Sequence, residues 1–394
     1  MIPLYLSLVA LSCLSFAGAE PFHISLARRR TPTMDEYASA ADALRNKYNI
    51  PHSSTSKRQN TAAVSVINQV RPCLVSQIPP PDLDNHPQNR DTSYMGTVQI
   101  GTPCVYEPVI SALPTQISNS PQSFNVVLDT GSSDLWVTDS GCTACTPGTP
   151  SFKTATSTSF QRGQDSTGQP VRVTITYGSG NVAGELVRDT VTMGGFQVQR
   201  QPWLLVDQTS ASLLDGSDAG ILGLAFSTIA NTGSTPFWQS LAQGGQFSTP
   251  EMSFWLTRLL NNNNAQPEDF GGVFTLGGQN KTLYKGDVEF LPLVTSAGRQ
   301  TYWLLTVSGT HLDPCFDFSY TPVLTIGITV NGNSVTLPYG NLAAIDTGTT
   351  LIGGPTDAVA AVYAQIPGSQ QLSGNLAGFY GFRTFACFSS ILLW

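Results

Sequence analysis

Short apolar runs separated by turn-forming residues recur along most of the chain. The runs are rich in Val, Ile, Thr and Phe, as in residues 124–128 and 174–177, and Gly, Ser and Asn stand between them. This pattern predicts a mostly β protein with many turns. Residues 235–241 and 355–365, which have a Pro near their start, are instead typical of short helices. The 394 residues are enough for two ordinary domains.

The first 19 residues are apolar and end in Ala17-Gly18-Ala19, a pattern of small residues that is typical of signal-peptide cleavage. Later stretches fall short of the roughly 18 consecutive apolar residues that a membrane span needs. The sequence therefore predicts a signal peptide at residues 1–19 and a secreted protein without a membrane anchor. The vacuole is the alternative destination.

The net charge changes sign after residue 58. Residues 20–58 carry seven basic and four acidic side chains and end in Lys57-Arg58, whereas the residues from Gln59 onward carry 22 acidic and 12 basic side chains. A basic leader that ends at a dibasic site, in front of an acidic body, predicts a removable propeptide. A nucleic-acid-binding arm is the alternative. Because a signal peptide does not introduce such an arm, no nucleic-acid partner is expected.

Seven cysteines are too few for a disulfide scaffold, but two of them lie close together. Two residues separate Cys142 from Cys145, and neither a second such pair nor a nearby His completes a zinc site. Since the chain is predicted to be exported, a local disulfide between them is favoured over a metal site.

One motif occurs twice. An apolar run leads into Asp129-Thr-Gly-Ser-Ser, and another leads into Asp346-Thr-Gly-Thr-Thr. A single Asp-Thr-Gly could merely cap a turn. Two copies behind apolar runs, more than half of the chain apart, instead predict two related lobes that face each other.

Two facing carboxylates can hydrolyse a peptide without a metal or a nucleophilic side chain. An ionised carboxylate removes a proton from water and a neutral one protonates the product side, while repulsion between like charges keeps one proton on the pair. The neighbouring glycines allow tight turns, and the hydroxyls can bind the carboxylates and the loops. The candidate site therefore comprises Asp129, Thr130, Gly131, Ser132, Asp346, Thr347, Gly348 and Thr349.

Residues 128–137 and 344–352 resemble the two active-site signatures of the pepsin family of aspartic endopeptidases, in particular its fungal secreted, polyporopepsin-like members. The resemblance implies a mostly β, bilobal acid protease fold with a cleft between two related β lobes, here residues 59–235 and 236–394. It also implies a monomer that binds extended peptides, works in acid and needs no cofactor.

A hairpin and an indole match the family as well. Residues 174–180 resemble the flap that closes over the substrate, with Tyr177 leaning into the cleft and a mobile tip formed by Gly178, Ser179 and Gly180. Trp136 resembles the indole that hydrogen-bonds this tyrosine, although a core Trp is the alternative interpretation.

Two other segments complete the resemblance. Asp218–Gly223 resembles the segment that lies beside the first aspartate loop and completes it. Residues 44–48 resemble the propeptide inhibitor of the family. This implies that Lys47 pairs with both aspartates and that Tyr48 fills the cleft.

Four segments depart from the family pattern. Residues 70–88, 104–120 and 310–327 interrupt expected motifs, and residues 383–394 stand where the family continues for longer. The codons at the start of each segment can contain an intron donor site. This favours unspliced introns in a gene model over genuine loop insertions. On this interpretation the second lobe is truncated, and its apolar strands around Asp346 should be exposed and poorly packed.

These observations favour an acid endopeptidase that is made as a zymogen, with peptide substrates and its own propeptide as partners and no metal. The alternatives are a catalytically dead product of the mis-spliced gene model and a non-catalytic peptide-binding protein on the same scaffold. A two-carboxylate glycosidase explains neither the duplicated loops nor the flap. The single Asn-Lys-Thr sequon predicts N-glycosylation of Asn280.

Overall fold

The computed structural model describes residues 22–28, 62–64, 93–102, 121–210, 213–214, 217–257, 270–306, 328–330, 333–335, 342–349, 352–372 and 379–381. The predicted signal peptide lies outside these residues, as do Lys47, Tyr48 and the departing segments 70–88, 104–120, 310–327 and 383–394.

The described residues are mostly β, as the apolar runs predict. The strands before residue 230 are β1 (Phe22–Arg28), β2 (Ala62–Val64), β3 (Tyr94–Ile100), β4 (Gln122–Asp129), β5 (Leu135–Thr138), β6 (Gln161–Arg162), β7 (Arg172–Tyr177), β8 (Gly180–Met193), β9 (Phe196–Thr209) and β10 (Asp218–Gly223). The later strands are β11 (Met252–Leu256), β12 (Phe270–Leu276), β13 (Leu304–Thr306), β14 (Thr329–Val330), β15 (Asn333–Ser334), β16 (Leu342–Ala344), β17 (Ile352–Gly354), β18 (Gln370–Gln371) and β19 (Tyr380–Gly381).

Two short helices lie where the sequence predicts them. They are α1 (Phe237–Gln243), which Pro236 precedes, and α2 (Thr356–Ala364), which Pro355 precedes. A Pro at this place suits a helix start, because its fixed φ is compatible with the first turn and it lacks an N–H that would go unpaired there. Among the described residues, no helix has the length and hydrophobicity that crossing a membrane requires.

One large sheet organises the first part of the molecule. Its strand order is β11-β12-β1-β3-β4-β10-β5-β9-β8-β6, with β7 paired to β8 and an additional pairing of β3 with β8. β10 lies between β4 and β5, parallel to the first and antiparallel to the second. The turn that joins β4 to β5 therefore spans a third strand, and this leaves Asp129 at the end of the sheet.

Two buried apolar clusters pack against the strands of this sheet around the first aspartate turn. Leu128 and Trp203 belong to one buried apolar cluster, and Trp136 and Tyr177 belong to the other. Every residue of β10 is buried as well. Because successive side chains of a strand point to opposite faces, the strands on either side of the first aspartate turn are anchored in packed apolar surroundings.

The chain after β12 has a smaller described core. Val330, Val335, Val359, Tyr363 and Ile366 form its buried cluster, and strands β13 to β19 pair only as short two-stranded units within the described ranges. The apolar side chains next to the second aspartate turn are exposed: Leu342 (53%), Ile345 (47%) and Ile352 (48%). This agrees with the expectation of uncovered strands around Asp346.

Part of the predicted propeptide is built into the large sheet. β1 pairs antiparallel with β12 along residues 22–27 and with β3 at Ala27 and Arg28. The charge pattern, which predicts a removable leader at residues 20–58, did not predict this strand.

Candidate active site

β4 ends at Asp129, and the turn that follows supplies the donors for its carboxylate. The backbone N–H of Gly131 donates to Oδ1 at 2.9 Å, and the hydroxyl of Ser132 donates to Oδ2 at 2.5 Å. Asp129 is only 3% exposed. These two bonds hold the carboxylate in one orientation, because each of its oxygens has a fixed donor.

The second Asp-Thr-Gly turn repeats this arrangement after β16. The N–H of Gly348 donates to Oδ1 of Asp346 at 2.9 Å, and the hydroxyl of Thr349 donates to Oδ2 at 2.5 Å. Asp346 is half-buried. The two carboxylates therefore accept hydrogen bonds from equivalent positions of equivalent turns, as the duplicated motif predicts.

The two turns are hydrogen-bonded to each other through their threonines. The hydroxyl of Thr130 donates to the Ile345 carbonyl at 2.8 Å and accepts from the Thr347 N–H at 2.9 Å. In return, the hydroxyl of Thr347 donates to the Leu128 carbonyl at 2.5 Å and accepts from the Thr130 N–H at 3.1 Å. The sequence placed both hydroxyls in the loop network, but it did not predict that each would bind the opposite loop.

Gly348 shows how closely the turns approach. A Cβ at this position would lie 2.3 Å from Oδ1 of Asp129, a separation that no real side chain can adopt. Residue 348 must therefore be glycine for the second turn to approach the Asp129 carboxylate this closely.

β10 completes the first loop, as expected from its sequence. Beyond β10, the N–H of Leu224 donates to the Asp129 carbonyl and the N–H of Ala225 donates to the Ser132 carbonyl, both at 2.8 Å. The backbone carbonyls of Asp129 and Ser132 are thus paired, and the chain beyond β10 holds both ends of the turn.

A hairpin of β7 and β8 stands over this region. Tyr177 pairs with Gly180 across the hairpin, and Gly178 and Ser179 form the tip. The indole N–H of Trp136 donates to the phenol oxygen of Tyr177 at 2.7 Å. Trp136 is fully buried, so it is a core residue and the partner of the tyrosine at once.

The phenol of Tyr177 should ionise only at a pH well above that of an ordinary tyrosine. Burial raises its pKa most, and the negative charges of Asp129 and Asp134 raise it further. A pKa that is raised in the folded state contributes stability below the unfolded value of about 10, and this contribution is lost as the pH rises beyond it. Urea unfolding between pH 9 and 11 should therefore show a steeper loss of unfolding free energy in wild type than in Tyr177→Phe. Equal slopes would contradict this assignment.

A second buried carboxylate, which the sequence analysis did not single out, lies behind the first loop. Asp134 accepts from the backbone N–H groups of Asn231 at 2.8 Å and Thr232 at 3.2 Å, and from the Thr232 hydroxyl at 2.5 Å. It thereby ties the chain beyond β10 to the Asp-Thr-Gly turn. The only sequence signal was an acidic residue directly before the apolar run of β5.

The remaining candidate residues lie away from the carboxylates or outside the described residues. Cys142 and Cys145 are joined by a disulfide, with Cα atoms 5.6 Å apart. Asn280 accepts hydrogen bonds from the N–H and the hydroxyl of Thr282 within its sequon. Within the described ranges, no group of three or more His, Cys, Asp or Glu could hold a metal ion.

Comparisons with known proteins match this chain to aspartic peptidases. The eukaryotic aspartyl protease model matches residues 112–387. Major aspartyl peptidase 1 of Cryptococcus neoformans var. grubii is 37% identical over 305 residues, or 75% of this chain and 53% of that protein. An aspartic protease of Phaffia rhodozyma is 34% identical over 268 residues, or 68% of this chain and 56% of that protein. Pepsin A of Rhinolophus ferrumequinum is 30% identical over 287 residues, or 73% of this chain and 61% of that protein. The matches thus span little more than half the length of these relatives.

Proposed function

The chain belongs to the eukaryotic aspartyl protease family, and on this premise we propose that it hydrolyses peptide bonds in acid between Asp129 and Asp346. The observation that carries the proposal is the pair of equivalent, cross-bonded Asp-Thr-Gly turns. The proposed lobes are residues 59–235 and 236–394, and the cleft between them would take an extended peptide. The two fungal relatives support the fungal type of the enzyme.

The proposed mechanism uses one ionised and one neutral carboxyl. The ionised carboxylate takes a proton from a water molecule, whose oxygen attacks the peptide carbonyl carbon, while the neutral carboxyl donates its proton to the carbonyl oxygen. When the C–N bond breaks, the carboxyl that took the proton from water passes it to the leaving nitrogen, and the proton on the former carbonyl oxygen returns to the other carboxylate, which restores one proton on the pair. The pair needs one proton to work, so activity is expected in acid and should decline before neutrality.

The flap and the propeptide would both act at the cleft. Tyr177 would cover the bound peptide and help to exclude bulk water. Lys47 and Tyr48 would block the cleft of a secreted zymogen until acid weakens the attraction between Lys47 and the carboxylates. The pairing of β1 with β3 and β12 supports a propeptide that is anchored on the body. Asn280 would be glycosylated during export.

Clearance of casein at acid pH tests the proposal. We expect clearing by the purified chain near pH 3 to 4, little at pH 7, and inhibition by a peptide that carries a non-cleavable mimic of the tetrahedral intermediate. The same peptide without the mimic should inhibit far less. This difference separates recognition of the tetrahedral intermediate from simple competition between peptides for the cleft.

A non-catalytic peptide-binding protein is the second candidate. The observation that favours it is the exposure of the apolar residues Leu342, Ile345 and Ile352 around the second turn, because an uncovered loop holds its carboxylate less firmly. Binding of the mimic without cleavage at any pH would decide for this candidate. The presence of both carboxylates and Tyr177 supports the enzyme.

A further inference from the structure

Trp303 contacts the supports of both aspartate turns. Its indole N–H donates to the Leu224 carbonyl at 3.0 Å, and the N–H of Leu224 donates to the carbonyl of Asp129 at 2.8 Å. Its own backbone carbonyl accepts from the N–H of Ile345 at 3.0 Å. One residue therefore reaches each aspartate through a short bonded path, to Asp129 through its side chain and to Asp346 through its backbone.

The strand register places Trp303 at this point. Trp303 directly precedes β13, Ile345 directly follows β16, and these two strands pair antiparallel with Leu304 opposite Ala344. The bond between Trp303 and Ile345 therefore continues the ladder up to the second aspartate. A shift of the indole relative to Leu224 would be transmitted along this ladder to the Asp346 turn.

An aromatic cluster holds the indole in place. The Trp303 ring lies 4.7 Å from the ring of Phe226 and 5.7 Å from that of Trp238, and the latter two meet edge to face at 5.4 Å. The N–H of Phe226 also donates to the Thr301 carbonyl at 3.3 Å. Aromatic packing of this kind restricts rotation of each ring and fixes the direction of its N–H.

We propose that Trp303 is a positioning residue that sets the Asp346 carboxylate relative to the Asp129 carboxylate. This inference rests on the proposed function, since the pair must share a proton to act. The hydrogen bonds of Trp303 reach the backbone of Leu224 and Ile345 and not the carboxylates themselves. It acts by tying the segment beyond β10 to the strand that ends at the second turn.

Trp238 is a matched control within the same cluster. Its indole N–H donates at 2.9 Å to the carbonyl of Ala225, the residue after the one that Trp303 binds. Among the described residues, its hydrogen bond and ring contacts lie within the aromatic cluster and the segment beyond β10, and none of them reaches Ile345. Replacing either indole with phenylalanine thus removes the same type of bond from the same cluster.

The first experiment compares the kinetics of Trp303→Phe and Trp238→Phe in the full chain. Trp303→Phe should lower kcat by about tenfold with KM within about twofold, because misplaced catalytic groups affect the transition state more than binding. The pH range over which kcat/KM is high should also narrow. Carboxylates that lie farther apart repel each other less, so the two apparent pKa values of the pair move closer together. Trp238→Phe keeps a ring in the cluster and leaves both hydrogen bonds of Trp303 in place, so it should keep the wild-type kcat and profile. Equal losses and equal profiles in the two variants would overturn the proposal.

A second measurement does not depend on activity. Thermal unfolding is measured for each Trp variant alone and combined with Thr347→Val, which removes the bonds of the Thr347 hydroxyl to the Leu128 carbonyl and the Thr130 N–H. Trp303→Phe and Thr347→Val should be non-additive in Tm because they act on one junction, whereas Trp238→Phe and Thr347→Val should be additive. If the wild-type chain proves inactive, the proposed function fails and this cycle alone decides. Additivity for both Trp variants would then refute the role of Trp303.

Discussion

Asp129→Asn and Asp346→Asn should each lower kcat for acid cleavage of a peptide by about a thousandfold or more. The amide that replaces either carboxylate neither removes a proton from water nor shares a proton with the remaining carboxyl. Neither single variant retains the pair that holds one proton between two carboxyls. The losses should be of similar size because each turn supplies one half of the pair.

The fold should survive these two substitutions. An asparagine keeps one carbonyl oxygen for the N–H of Gly131 or Gly348, and the hydroxyl of Ser132 or Thr349 can rotate to accept from the new NH2 group. We therefore expect the Tm of each variant within a few degrees of wild type. This combination of lost turnover and retained Tm distinguishes a catalytic role from a structural one.

Asp165→Asn is the matched control for the aspartate variants. Asp165 lies in an exposed turn, where its Oδ1 accepts from the N–H and hydroxyl of Thr167, and the hydroxyl of Thr167 is the first of the interactions that lower its pKa. The same change in charge and shape should leave kcat within about twofold of wild type. Turnover within tenfold of wild type in either catalytic variant would remove the carboxylate pair from the mechanism.

Local features of the site could be predicted from the sequence. The turn at Asp129 follows from a strand that ends in Asp-Thr-Gly, and the donors Gly131 and Ser132 lie two and three residues away from the carboxylate they bind. The two Pro-initiated helices are equally local. Short-range bonds of this kind depend on residue type and spacing, and both are visible in the sequence.

Long-range features could not be predicted in the same way. The exchange of bonds between Thr130 and Thr347 spans 217 positions, and the anchoring of Thr232 by Asp134 spans 98. Trp303 binds the Leu224 carbonyl, which lies 79 positions away. Their partners are fixed only when the strands have assembled, because pairing across a sheet depends on topology and not on neighbouring residues.

The pairing of β1 shows the limit of charge as a guide to structure. A surplus of Lys and Arg distinguished residues 20–58 from the body, but net charge informs on solubility and partners and not on fold. The backbone of residues 22–28 can complete the ladder between β3 and β12 whatever the charge of the whole segment.

Gly220→Ala should destabilise the protein by about 3 kcal/mol or more and abolish cleavage. Gly220 lies in β10, opposite Val126 of β4 on one side and Val137 of β5 on the other. A Cβ at this position would lie 1.9 Å from the carbonyl oxygen of Trp136. Because the obstructing atom belongs to the backbone, no change of rotamer relieves the clash, and β5 or β10 must move.

Movement of β5 or β10 would disturb the site in two ways. Trp136 would lose its aligned bond to the phenol of Tyr177, and the N–H groups beyond β10 would lose their alignment with the Asp129 turn. Urea unfolding monitored by Trp fluorescence gives the change in stability, and the casein assay gives the loss of activity.

Gly141→Ala is the control for this substitution. Gly141 lies in an exposed turn, and the atom nearest to a Cβ there is a side-chain oxygen of Asp139 at 3.6 Å, an ordinary contact. The added methyl group should change the free energy of unfolding by less than about 0.5 kcal/mol. If Gly220→Ala proves no more destabilising than Gly141→Ala, then β10 does not lie between β4 and β5 as described, and the first aspartate turn must be supported in some other way.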